Sequence, residues 1–301
     1  MRRSIWSIAI LLTLHSLIPG RIDTARAQAT IPTTVHVPIL MYHYISANPD
    51  WPNDPLRTRL SVPPRQFAAQ LAYLLRAGYT TITLDDLVAA LHGETTLPIK
   101  PVILTFDDGY ADFYTNAYPL LQQYHDRATI YIISQRVATP GYLDWDQLRS
   151  LAASPLITIG AHTRTHPMLT TLSAEQQWDE LAGSKSDLEA ALGVSVQHLA
   201  YPSGNYNAVT LQQVEQIGFT TAVTTRVGQL HSASQVLLLK RVRVNGGTGI
   251  ADFIAGLTGT RQVRVYPTRR ARPPARSSST DQAAPTSQYL APPQLGHGAR
   301  T

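Results

Sequence analysis

The stretch Pro101-Val102-Ile103-Leu104-Thr105-Phe106-Asp107-Asp108-Gly109-Tyr110 decides how this 301-residue chain is read. Its first six residues are apolar or β-branched, without the polar alternation of a half-exposed strand. Such a run describes a strand buried on both faces, as in a parallel sheet covered by helices. It then runs directly into two carboxylates and a glycine. Asp-Gly pairs are common turn formers, but a polar pair at the C-terminal end of a buried strand also sits where β/α folds carry their sites.

Similar runs recur on either side, at 38–45, 80–84, 128–134, 156–162, 198–202, 220–225 and 236–244. The segments between them have helical period. Phe67, Leu71, Leu74 and Leu75 share one face of 65–77, with Gly78 after it. Residues 173–192 open on a capping Ser173 and stop at Gly193, and 207–217 stop at Gly218. Asp85-Asp86 reads as a helix cap. Seven or eight strand–helix units in about 220 residues predict an α/β fold, a distorted and incomplete (β/α)7-8 barrel with parallel strands. A doubly wound open sheet is the alternative. The barrel expectation places chemistry at C-terminal strand ends, where Asp107, Asp108, His162, His43 and Tyr201 all fall.

The ends of the chain differ from its middle. Residues 1–29 carry net +3 and 258–301 net +6, which leaves −4 for 30–257 within the total of +5. The basic character therefore belongs to the ends, and a nucleic-acid partner is not expected. Arg2-Arg3, an apolar stretch and a small-residue cleavage pattern at 25–29 predict an export signal over 1–29, with an uncleaved membrane anchor as the alternative. The protein is thus expected to be secreted or at the cell surface. Residues 258–301, rich in Pro, Arg and Ser, are expected to be a disordered tail, able to touch an anionic cell envelope through its arginines. There is no cysteine, so disulfides, thiolate ligands and cysteine nucleophiles are excluded.

The second informative stretch is His162-Thr163-Arg164-Thr165-His166. Thr163 and Thr165 are β-branched and Pro167 follows, so a turn after a strand is expected instead of a helix. The spacing is that of a metalloprotease HExxH, but no Glu lies between the histidines to act as base. One carboxylate of the Asp107-Asp108 pair can complete a metal site with two His, while the other remains free to move a proton.

These two motifs, with Leu143-Asp144-Trp145-Asp146 and Ala200-Tyr201-Pro202-Ser203-Gly204, resemble in type and spacing those of the polysaccharide deacetylase family. The resemblance covers about residues 36–257, and a 30–257 catalytic domain is expected. It implies a distorted β/α barrel and a hydrolase that removes N-acetyl groups from N-acetylhexosamine residues of a cell-surface or extracellular polysaccharide. It further implies that Asp108, His162 and His166 bind a divalent metal: zinc, with Co2+, Ni2+ or Mn2+ as alternatives. Asp107 would be the general base for water attack on the acetamide, and a backbone N–H near Tyr201 would help to stabilise the oxyanion. Alternatives are a polysaccharide O-acetyl esterase or a carbohydrate-binding domain without activity. A monomer is expected.

Two departures from the family pattern stand out. The arginine that many members carry ahead of the third motif is replaced by His198-Leu199-Ala200, and Leu237-Leu238-Leu239-Lys240-Arg241 lacks the late His that serves as general acid. The branch resembling poly-N-acetylglucosamine deacetylases has a Tyr-His near the first strand, as in Leu40-Met41-Tyr42-His43. His43 is therefore the expected proton donor, with His231 a weaker candidate. Arg241 or Arg243 could stand in for the missing arginine. Trp145, Tyr201 and Arg241 are expected on the substrate side, the first two as walls for a sugar ring.

Overall fold

A computed structural model describes residues 34–46 and 55–259. The export signal expected over 1–29 and all but the first two residues of the expected tail lie outside the described residues. The chain opens with β1 (Val35–His36), β2 (Ile39–Tyr42), α1 (Pro55–Leu60), α2 (Pro64–Arg76), β3 (Thr80–Thr81) and α3 (Leu84–Leu91). After β4 (Pro101–Phe106), a π-helical turn at Phe113–Ala117 runs into α4 (Tyr118–Tyr124). There follow β5 (Ala128–Ile132), α5 (Trp145–Ala152), β6 (Ile157–Ala161), α6 (Ala174–Leu192), β7 (His198–Ala200) and α7 (Ala208–Ile217). The last elements are β8 (Thr221–Val227), β9 (Leu230–His231), β10 (Leu239–Arg243) and α8 (Ile250–Thr258).

Seven parallel strands close the barrel in the order β2-β4-β5-β6-β7-β8-β10, with β10 returning to β2 through Val242 opposite Leu40. The run at 80–84, expected as a stave, is not one. Only Thr80 and Thr81 pair, with Pro101 and Val102 at the foot of β4, and β2 takes the rest of that edge. Local chemistry stops the strand. Thr83 caps α3 by accepting from the Asp86 amide at 3.0 Å, while Asp86 accepts from the Thr83 amide at 2.9 Å. Asp86 therefore has the capping position expected of it. Asp85 instead lies 3.5 Å from the buried His198, at the N-terminal end of β7.

Strand alternation sorts the side chains into two layers. Leu40, Tyr42, Leu104, Phe106, Ile130, Ile132 and Leu199 pack outward with helix residues such as Phe67, Leu71, Leu121, Leu148, Leu181 and Val214. Ile39, Ile103, Tyr131, Ala200, Val223 and Leu239 form the interior cluster, which Leu84, Leu87 and Leu91 of α3 cap at one end. The same alternation puts Thr105, Asp107 and Arg241 in phase with the interior, and all three are buried. Opposite α3, the interior is filled by polar groups.

Candidate metal centre and catalytic base

Asp107 and Asp108 adjoin in sequence but face different tasks because the backbone turns sharply between them. Asp107 still belongs to the strand frame, its amide donating to Tyr42 O at 3.0 Å. Asp108 and Gly109 both have left-handed backbone, with φ of 77° and 78°. At Asp108 such a conformation costs on the order of 1–3 kcal/mol and must be compensated by its surroundings. Gly109 accepts it without that cost, and a Cβ there would crowd Ile132. The reversal aims the second carboxylate back toward β6.

Two imidazoles meet it there. His162 Nε2 lies 3.3 Å and His166 Nε2 3.7 Å from the same oxygen, Asp108 Oδ1. The ligand atoms of all three residues lie within 4.8 Å of one another. A tetrahedral ion with bonds near 2.0–2.1 Å needs donors about 3.3 Å apart, so only a small contraction is required. His162 Nδ1 is 2.7 Å from Ala200 O. A carbonyl can only accept, so that nitrogen carries the proton and Nε2 keeps its lone pair for a metal. The turn between the histidines is not helical, as expected. Thr163 and His166 have φ of 61° and 65°, and Thr163 Oγ1 accepts from the His166 amide at 3.1 Å. The donor set fits a divalent cation.

Asp107 is held by Arg241. Nη1 donates to Oδ1 and Nη2 to Oδ2, both at 2.7 Å, while Nε donates to Thr224 O at 2.9 Å. The guanidinium also reaches Thr105 Oγ1 at 3.2 Å and lies over the Tyr131 ring, 6.0 Å from its centroid. Burial by itself would raise the Asp107 pKa. The Arg241 charge and its two hydrogen bonds outweigh that, so the carboxyl sits below its usual range and is ionised at neutral pH. Asp108 behaves alike: burial raises it, but the contact with His162 and the nearby imidazoles hold it well below the usual range.

His43 reaches the same pocket, with Nε2 3.9 Å from Asp107 Oδ2. Its Nδ1 is buried and has no hydrogen-bond partner among the described residues. Burial holds its pKa below the usual imidazole value, against the upward pull of Asp107 and Asp108.

Four other candidates lie away from an open substrate surface or from the site itself. Arg241 is 1% exposed and grips Asp107, the geometry expected of a stand-in for the missing arginine, and its guanidinium is not open to a substrate. Tyr201 is also 1% exposed and belongs to the outward layer, where its hydroxyl donates to Leu237 O at 3.1 Å. Its amide is already committed to Val223 O at 3.2 Å. As Ala200 faces the interior, the next side chain must face the helices, and Tyr201 forms no wall of the site. Trp145 opens α5 and packs, half-buried, against the outward layer. His231 is removed from the chemistry: its Nε2 meets Val37 O at 2.9 Å, beside the start of β2 instead of its end.

Sequence reading missed an aromatic column beside Asp108. Tyr44 and Tyr110 stack with centroids 3.7 Å apart, and Tyr142 follows at 5.1 Å from Tyr110. Arg57 covers Tyr44 at 4.6 Å and Arg136 lies 6.0 Å from Tyr142. The column ties together the segments that follow β2, β4 and β5. Its members are scattered over 98 positions with no shared spacing, so nothing local in the sequence announces it.

Comparison with known proteins agrees with this geometry. A family model described as polysaccharide deacetylase matches residues 94–222. A putative polysaccharide deacetylase, YxkH of Bacillus subtilis (strain 168), is 35% identical over 217 residues, covering 72% of this chain and 74% of that protein. The poly-beta-1,6-N-acetyl-D-glucosamine N-deacetylase of Escherichia coli (strain K12) is 24% identical over 236 residues, which is 64% of this chain but 35% of that protein. Among solved structures, the Streptococcus pyogenes deacetylase PplD in complex with acetate superposes with a TM-score of 0.68 at 31% identity, over 75% of this chain and 99% of that one.

Proposed function

Since the chain belongs to the polysaccharide deacetylase family, enzymes that remove acetyl groups from polysaccharides, we propose that it is a metal-dependent N-deacetylase of a β-linked N-acetylhexosamine polymer. The single observation that carries this reading is a buried carboxylate held at both oxygens by Arg241, directly beside three converging side chains able to hold a metal. A binding module needs no such base.

Asp108, His162 and His166 would hold the metal, which would polarise the acetyl carbonyl and acidify a water. Asp107 would accept a proton from the attacking water as its oxygen bonds to the carbonyl carbon. Arg241 keeps Asp107 ionised and fixes its plane through two hydrogen bonds, so the base needs no reorientation. As the C–N bond breaks, His43 delivers a proton to the departing amine. Its position near Asp107 lets the proton taken at the start return by a short path. Within the class, a partly acetylated exopolysaccharide is the leading substrate, peptidoglycan strands come second and chitin oligomers third. An export signal over 1–29 would deliver the enzyme to the polymers it acts on.

The test is acetate release by purified protein from β-1,6- and β-1,4-linked N-acetylglucosamine oligomers and from O-acetylated xylan, with and without chelator. The reading expects chelator-sensitive release from the amide substrates. Release from xylan alone would move the chain to the esterases, and release that survives metal removal would overturn the metal centre.

A further inference from the structure

The residue between the two histidine ligands, Arg164, points away from the metal site and onto α6. Nε and Nη2 donate to the two oxygens of Asp187 at 3.0 Å each, and Nη1 donates to Asp179 at 2.7 Å. The guanidinium passes directly over Gly183, where a Cβ would overlap it. Beside it, Glu180 takes the turn's own backbone. Its Oε2 accepts from the amides of Arg164 and Thr165, both at 2.9 Å, and its Oε1 from Thr165 Oγ1 at 2.6 Å. The opposite edge is held by the segment after β5, whose Ser134 and Gln135 amides donate to Thr163 O and Arg164 O at 3.2 and 3.0 Å. Ser134 Oγ also donates to Asp187 at 2.8 Å, closing the ring of contacts.

We propose that Glu180 is a positioning residue for the metal centre: its carboxylate fixes the 163–165 turn so that His162 and His166 converge on Asp108 before any metal arrives. Thr163 and His166 both adopt left-handed backbone that a free chain would leave. Two adjacent amides aimed at one carboxylate oxygen supply charge-assisted hydrogen bonds that only this turn can make. Glu180, Gly183 and Asp187 lie at i, i+3 and i+7 on α6, so one stripe of a single helix carries the whole clamp. The expected consequence is on metal affinity, in the range seen when groups that orient metal ligands are removed.

The inference rests on the metal-centre reading above, and its test needs no substrate. Co2+ alone is titrated against a chromogenic chelator, with the visible absorption of bound Co2+ as a second signal. Glu180→Gln is expected to weaken binding about 10–100-fold and to alter the Co2+ spectrum. Its thermal midpoint before metal addition should stay within about 5 °C of the parent. Asp179→Asn, which touches only Nη1 of Arg164, should leave the dissociation constant within about twofold, a fraction of one net hydrogen bond. If Glu180→Gln does not fold, Thr165→Ala reads the same clamp through its Oγ1 contact, with about fivefold weaker binding expected. An unchanged Co2+ affinity and spectrum in folded Glu180→Gln, or in Thr165→Ala where that variant stands in, overturns the proposal while the metal centre stands. An equal loss in Asp179→Asn overturns it too, since the effect would then follow helix charge and not the turn. A parent protein that binds no Co2+ removes the metal reading and this inference together.

Discussion

Arg241 and Asp107 are 134 residues apart in sequence and form a two-point buried ion pair, with both nitrogen–oxygen contacts at 2.7 Å. The pair sits where β10 closes against β2 and β4 presents its carboxyl end, so closing the barrel and assembling this ion pair are one event. Replacing Arg241 with Met should cost about 3–5 kcal/mol, because Asp107 is left buried without its counter-charge. Arg241 lowers the Asp107 pKa, so its loss raises that pKa. The acid limb of the rate profile should therefore move to higher pH. The stability gap between parent and variant should be largest at neutral pH, begin to shrink as pH falls through the raised Asp107 pKa of the variant, and close only below the depressed pKa of the parent, where the carboxylate is lost in both. Urea midpoints at two pH values and a pH–rate profile read both effects; an unmoved acid limb would argue that Asp107 is not the base.

His43 is predicted to matter according to the leaving group. His43→Gln should lower kcat on N-acetylglucosamine oligomers by about 10²–10⁴ while metal content stays the same. On p-nitrophenyl acetate, whose phenolate departs without a proton, the variant should lose little. Equal losses on both substrates would leave His43 as a structural neighbour of Asp107.

The aromatic column predicts a difference between ring and hydroxyl at Tyr110. Tyr110→Ala removes the stacked contact with Tyr44 and the tilted one with Tyr142, and should destabilise the fold by about 2–3 kcal/mol, given roughly 0.5–1.5 kcal/mol for each pair beyond the area buried. Tyr110→Phe should cost under about 1 kcal/mol, because the stack survives. Thermal melts of the two variants decide it, and equal losses would mean that the column adds nothing through its faces.

Asp126, far from the chemistry, gives a pH prediction of opposite sign to that of Asp107. Burial pushes its pKa up to about 6, although Thr81 Oγ1 donates to it at 3.1 Å and His125 lies nearby. A carboxyl with a raised folded-state pKa favours the fold fully below the unfolded value near 3.9 and loses that contribution as pH rises through 6. Asp126→Asn keeps the acceptor for Thr81 and removes the titration. Its stability relative to the parent should therefore increase between pH 4 and 7, by on the order of 1 kcal/mol once partial exposure is discounted. A stability difference that is flat with pH would be falsifying.

Much of the site was legible because its parts are local. A buried run ending in Asp107-Asp108, and a turn bracketed by His162 and His166, mark out through spacing and residue chemistry alone the side chains that the structure brings together. The seven true staves were legible too, most of them as apolar and β-branched runs, although β10 carries Lys240, Arg241 and Arg243. The run at 80–84 misled because Thr80, Thr81, Ile82 and Thr83 are all β-branched, whereas Thr83 competes locally as a helix cap. Tyr201 misled because a motif position says nothing about which side of a strand a residue takes. Alternation from Ala200 would have turned it outward.

What the sequence determined by itself was the alternation of strands and helices and the identity of the carboxylates and imidazoles that gather at the candidate site. Tertiary structure decided which partners those groups have. Arg241 reaches Asp107 only because β10 pairs with β2, and Tyr44, Tyr110 and Tyr142 meet only at the rim of a closed barrel. Glu180 finds the histidine turn only because α6 packs beside it. The physical reason is range: hydrophobic period, caps and turn chemistry act within a few residues of chain. A charge pair or ring stack between residues far apart in the chain exists only once the burial of many side chains has fixed the backbone on both sides.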